Sequence, residues 1–198
     1  MCIRDSELGD LVDVKGGKRL PKGSEYSSDP TEHPYIRVTD FKSGEIDESD
    51  LRYLSPEAQQ SIERYIVAEG DVVISIAGSI GQIASVPASL AGANLTENAA
   101  KLVRHEPDKL HSEFLAAFLR SRRIQDEMIA KTGQVTIGKL ALFRIASLKM
   151  ALPQPSIQMK FESAINGHRA ARSSLARSGK KLDDLFASLQ KRAFRGEL

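Results

Sequence analysis

QMKFESAINGHRAARSSLARSGKKLDDLFASLQKRA, residues Gln158–Ala193, decides the architecture. Within it Phe161, Ile165, His168, Arg172, Leu175, Gly179, Leu182, Phe186, Leu189 and Ala193 recur alternately four and three residues apart. A repeat of roughly 3.5 residues marks a helix whose stripe faces a partner helix. A continuous helix over this stretch would be about 54 Å long, at ~1.5 Å per residue. A rod of that length cannot bury its own stripe, so another helix must cover it, from this chain or from a second copy. His168, Arg172 and Gly179 weaken the stripe midway. A break at Ser178-Gly179 is the competing arrangement, splitting the rod into a hairpin.

Toward the N-terminus the pattern changes at Pro153 and Pro155, which places a domain boundary there: residues 1–155 form one globular domain and residues 156–198 a helical extension. Apolar, β-rich runs predict strands at Leu11–Val14, Tyr35–Val38, Val72–Ala77, Ile80–Val86, Ala99–Val103 and Ile145–Leu152. Ser55-Pro56 opens one helix, with Ser as cap and Pro at the first helical position. A second helix is expected from Ser112 to Lys131, with Phe114, Leu115, Phe118, Leu119, Ile124 and Met128 on its apolar side. A third, short one is expected at Gly138–Phe143. Strands interleaved irregularly with few helices predict an α+β domain with a twisted, mostly antiparallel sheet.

The 198 residues are 41% hydrophobic and 27% charged, an ordinary globular composition. No apolar run approaches the length of a membrane span, so no membrane role is expected. Cys2 is the only cysteine, which excludes an intrachain disulfide and suits a cytoplasmic protein. Charge is divided unevenly. Residues 1–119 carry 12 Lys/Arg against 20 Asp/Glu, whereas residues 120–198 carry 16 against 6. The basic half suggests a polyanion or, equally, a solvated helix surface.

No catalytic constellation emerges. His33, His105, His111 and His168 lack metal-ligand spacing, and no metal or cofactor is expected. Ala77-Gly78-Ser79-Ile80-Gly81 reads as a tight hairpin turn rather than a phosphate cradle, because no Lys-Ser/Thr follows it. Asp13-Val14-Lys15 and Asp40-Phe41-Lys42 are D-x-K triplets of the kind metal-dependent nucleases use, but such triplets arise by chance in a charged chain. The remaining polar residues suit binding. Lys15, Lys18, Arg19, Lys22, Arg37 and Lys42 can neutralise phosphates. Asn94, Thr96, Asn98, Thr132, Gln134 and Thr136 carry groups that pair with base edges. The same residues also serve as ordinary turn caps. A small DNA-cleaving or DNA-methylating enzyme, and a coiled-coil scaffold without a DNA role, remain the alternatives.

The ending Leu185–Leu198 (LFASLQKRAFRGEL) closely resembles the C-terminus of specificity subunits of type I restriction–modification enzymes. Met150–Phe161 (MALPQPSIQMKF) resembles that family's proline-rich junction, where a strand hands over to a long helix with a Gln near its start. Leu8-Gly9-Asp10, leading to Gly16–Gly23 (GGKRLPKG), is similar to the opening of its target-recognition domain; the Gly70–Ser75 strand and the Gly78–Gly81 turn also fit. The resemblance implies a non-catalytic subunit. Its recognition domain reads half of a split target in double-stranded DNA, and its long helix acts as spacer and docks methyltransferase subunits. Restriction and translocation subunits complete such systems. Full subunits resemble two tandem copies of this arrangement. This chain has one recognition domain and one helix, which implies either a naturally short, half-length form or a piece of a longer protein. The stripe Phe161, Ile165, Leu175, Leu182, Phe186 and Leu189 would then pair two copies as a homodimer.

Overall fold

The computed structural model describes residues 4–130 and 138–196. The chain divides into two units, Met1–Gln158 and Met159–Leu198.

The first unit runs β1 (Arg4–Glu7), β2 (Val12–Gly16), β3 (Pro34–Ile36), β4 (Phe41–Lys42), β5 (Glu45–Ile46), β6 (Arg52–Tyr53) and helix α1 (Pro56–Ser61). It continues through β7 (Val72–Ser75), β8 (Ile83–Ser85), β9 (Asn94–Leu95) and β10 (Ala99–Arg104). Helices α2 (Ser112–Arg120), α3 (Arg122–Ala130) and α4 (Leu142–Ala146) precede β11 (Lys149–Leu152) and helix α5 (Pro155–Phe194). The α+β expectation holds. The main sheet is antiparallel throughout, in the order β2-β10-β7-β8. A second sheet, β6-β3-β9, contains the parallel pair β3 and β9.

The main sheet is covered on both faces, which explains why β7 reads as a continuous apolar run rather than an alternation. Val72, Ile74, Ile83, Ala100 and Leu102 face one core with Leu115, Leu119, Ile124 and Met128 of α2 and α3. Val73, Ala84 and Ala99 face the other, with Ile36, Phe41, Ile46 and Leu95. A smaller cluster gathers Tyr35, Leu54, Ala58 and Ile62 around α1. Ser55 caps α1, accepting from the Ala58 N–H at 3.2 Å.

Three expectations need correction. The single helix Ser112–Lys131 is two helices, because Ser121 leaves helical geometry (φ −61°, ψ 140°). Buried Leu119 and Ile124 stand five residues apart, a step that an unbroken helix would rotate off the core; the interruption restores the register. Gln125 reinforces the corner, its Nε2 donating to Leu119 O at 2.7 Å and to Gly81 O at 3.0 Å. The expected strand from Ile145 begins only at Lys149, because Ile145 sits in α4 and is buried in the core. The short helix expected at Gly138–Phe143 lies later, at Leu142–Ala146, since Leu140 is held extended by its N–H bond to Ile76 O (2.9 Å).

β1 pairs with β11, from Arg4 opposite Leu152 to Glu7 opposite Lys149. β11 leads directly into α5, whose first turns are locked by Gln158. This fully buried amide accepts from the His111 N–H (2.9 Å) and donates to Lys109 O (2.8 Å) and Pro153 O (2.9 Å). From Met159 onward α5 forms the second unit. It continues through Ser178-Gly179 without a break, so the hairpin arrangement is not formed. At 40 residues α5 is about 60 Å long. Phe161 and Ile165 are half-buried, whereas Leu175, Leu182, Phe186 and Leu189 are exposed, Leu175 to 73%. No helix among the described residues is long and apolar enough to cross a membrane.

Candidate nucleic-acid interface

The segment after β2 and the turn before β10 form one wall of an open cleft of about 550 Å³. Gly16, Gly17, Lys18, Arg19, Ile76, Glu97 and Lys139–Leu142 line it. Local backbone geometry fixes this wall. Gly17 N–H donates to Ala99 O (3.0 Å) and Lys18 N–H to Leu95 O (2.8 Å). A Cβ at Gly17 would fall 2.1 Å from Thr96 O, so only glycine permits this approach. Buried Tyr35 donates its hydroxyl to Lys18 O at 2.9 Å, and burial pushes its pKa up to about 12, so it remains a donor at neutral pH.

The sequence-nominated cations differ sharply once placed. Lys18 lies over the Tyr65 ring at 5.7 Å, and Lys22 is exposed in the loop that follows. Arg19 donates from Nε to Glu97 Oε1 at 2.8 Å, which raises the guanidinium pKa above its usual range. Burial works to raise the Glu97 pKa, but hydrogen bonds from Arg19, its own backbone and Thr96 outweigh it and hold the carboxylate below its ordinary value. Lys15 is paired with Asp13 at 2.8 Å and Lys42 with Asp47 at 2.5 Å. Arg37 is committed to the fold. It makes bonds to the buried Asp40 from Nη2 (2.6 Å), Nε (3.2 Å) and the main-chain N–H (2.7 Å), and Nη2 also reaches Asp50. Its role as a phosphate contact is corrected accordingly: the charge neutralises Asp40 inside the domain.

Asn94 and Thr96 also depart from the base-contact expectation. Asn94 is fully buried and donates from Nδ2 to Ile62 O at 2.8 Å; Thr96 is buried and donates to Glu97 Oε2 at 3.0 Å. Both hold the turn in shape rather than meeting a ligand. Asn98 is exposed beside them, with its carbonyl accepting from Ile76 N–H (2.8 Å). Thr132, Gln134 and Thr136 lie outside the described residues. Lys139 was not singled out by sequence. It follows a polar stretch with no periodic signal, yet the bridge between Lys139 and Ala77 brings it to the cleft.

The D-x-K triplets do not converge. Asp13 contacts Lys15 and His105, and Asp40 contacts Arg37. Among the described residues no group of three or more His, Cys, Asp or Glu stands ready to hold a metal ion. Gly78–Gly81 is the hairpin turn between β7 and β8. Gly78 and Gly81 have φ of 72° and 86°, and Gln82 N–H donates to Ser75 Oγ at 2.8 Å.

A mixed α+β domain with an open cleft lined by Lys18, Arg19 and Lys139 is thus followed in the chain by a long helix that carries exposed apolar side chains. Comparison with known proteins narrows the class. The model of the type I restriction modification DNA specificity domain matches residues 3–164, and the chain belongs to that family. The Escherichia coli type I restriction enzyme EcoBI specificity subunit is 29% identical over 174 residues, 82% of this chain and 35% of that protein. The chain thus spans about a third of that relative's length. Two solved structures share the fold. A chain from work on complex assembly and conformational transition of the type I R-M system aligns with a TM-score of 0.69 at 19% identity, over 98% of this chain and 46% of that one. The HsdS subunit from Thermoanaerobacter tengcongensis aligns with a TM-score of 0.60 at 18% identity, over 98% and 45%.

Proposed function

We propose that this chain recognises DNA sequence without catalysing a reaction, as the specificity element of a type I restriction–modification assembly in the cytoplasm. The observation that carries the reading is the family match across residues 3–164. In this reading Lys18, Lys22 and Lys139 meet phosphates, and Asn98 with Thr132, Gln134 and Thr136 approaches base edges. The domain reads one half of a split target. Helix α5 sets the distance between halves and offers the surface on which methyltransferase subunits dock; restriction or translocase subunits join through them.

The exposed stripe supports pairing with a second copy. Each Leu or Phe gains roughly 1.5–3 kcal/mol on full burial, so Leu175, Leu182, Phe186 and Leu189 together favour association. A two-fold antiparallel pair makes the target an interrupted inverted repeat. Fluorescence anisotropy with labelled duplexes at rising salt tests the reading, both with the chain alone and with modification subunits added. Binding should weaken along a straight line in log salt, with a slope of about 0.9 per phosphate contacted. Metal-dependent nicking or methyl transfer by the isolated chain would favour an enzyme instead.

A further inference from the structure

We propose that Arg19 reads a guanine in the DNA major groove, with Glu97 as its positioning residue, rather than neutralising a phosphate. The assignment rests on the DNA-recognition reading above and deepens it. Arg19 is 78% exposed and Glu97 26%. Glu97 engages only Nε of the guanidinium, at 2.8 Å, and no described residue bonds the two terminal nitrogens. Those two N–H groups form the end-on fork that matches guanine O6 and N7. Lys15 and Lys42 differ: their single ammonium groups are themselves the atoms that meet Asp13 and Asp47.

Charge favours guanine over phosphate at this point. A phosphate on the fork would approach a carboxylate that already shares the guanidinium. Guanine O6 and N7 are neutral acceptors and meet no such repulsion. Rigidity favours it too. Glu97 Oε2 accepts from buried Thr96 at 3.0 Å. The backbone carrying Arg19 is pinned just before it, where Gly17 N–H donates to Ala99 O (3.0 Å) and Lys18 N–H to Leu95 O (2.8 Å). Base readout needs that positional accuracy, whereas phosphate neutralisation does not.

The test uses the full chain, with modification subunits present, and duplexes selected from a random pool by the wild type. Affinities are then measured for the selected duplex and for every single-pair substitution of it. Arg19→Ala should flatten the preference at one G·C pair, losing roughly 5- to 150-fold discrimination there. Its preferences at other pairs should survive. Arg19→Lys keeps the charge but not the fork, and should leave that pair relaxed while the salt slope stays unchanged. Glu97→Gln should relax the same pair without lowering affinity for unrelated duplexes, which a purely structural role would not produce. Uniform weakening on all duplexes by Arg19→Ala, with the salt slope falling by about 0.9 and rescue by lysine, marks a phosphate contact and overturns the assignment alone. A wild-type protein that selects no sequence overturns the DNA-recognition reading and this assignment with it.

Discussion

The two units of this chain treat hydrophobic residues in opposite ways. Through Gln158, leucines such as Leu102, Leu115 and Leu119 are fully buried between sheet and helices. From Met159 on, Leu182 and Phe186 are more than half exposed. The first unit closes its own core, while the second displays a stripe with nothing of its own to cover it. A sequence can therefore specify a complete fold and an incomplete one in a single chain, and the incomplete one points to an interface.

Breaking the second unit's stripe gives the largest expected effect. Replacing Leu182 and Phe186 together by Asp removes four apolar side chains from a two-fold pair. The loss is about 6 kcal/mol or more, roughly four decades in dissociation constant. Sedimentation equilibrium should show monomer for the double variant and dimer for the wild type, with the thermal midpoint of the first unit unmoved. A wild-type monomer at micromolar concentration removes the pairing proposal.

Next in size is the cavity contrast. Leu102→Ala, inside the main core, should cost about 3 kcal/mol in urea unfolding. Leu182→Ala should cost the monomer almost nothing. Equal losses would mean that the stripe is covered by the chain itself.

Smaller again is Asn94→Ala, expected to cost about 1–2 kcal/mol by orphaning the Ile62 carbonyl that its amide now serves. Sequence preference at the DNA should survive this change wherever the protein still folds. Altered preference would return Asn94 to the recognition surface.

The smallest effect concerns surface charge. His105 Nε2 lies 3.1 Å from Asp13 Oδ1, and this contact, with Asp10 O at Nδ1, raises the imidazolium pKa above its ordinary 6.5. The contribution to stability is therefore complete below the unfolded-state value and disappears as pH rises through the raised folded one. Asp13→Asn should lower the His105 titration midpoint in an NMR pH series, with a barely detectable change in stability because both groups are exposed. An unmoved midpoint would exclude Asp13 as the cause.

Much of this contrast was legible from residue order. The four-and-three spacing from Phe161 to Ala193 announced the helix and its stripe, since periodicity is a local property. The β7–β8 hairpin was legible from Gly78 and Gly81, and the α1 cap from Ser55-Pro56. What failed depended on tertiary context. The break at Ser121 follows from a five-residue apolar step that looks harmless until the sheet beneath it is known. The two-residue strands β4, β5, β6 and β9 carry too little pattern to detect. The basic run Lys18-Arg19 lies on the cleft wall, whereas Arg37 and Asn94, nominated on the same grounds, are engaged inside the fold and could not be separated from them by residue type. An arginine with a buried aspartate three residues on looks, in sequence, like any exposed cation. Glu97 carries no signal in the sequence, because its pairing with Arg19, 78 positions away, exists only in the fold.

Selection from a pool of random duplexes, using the full chain together with modification subunits, tests the central claim most directly. The account predicts enrichment of a sequence in two parts, related as an inverted repeat and separated by a fixed unread spacer. A pool that emerges without enrichment, at low salt and with partners present, would contradict it.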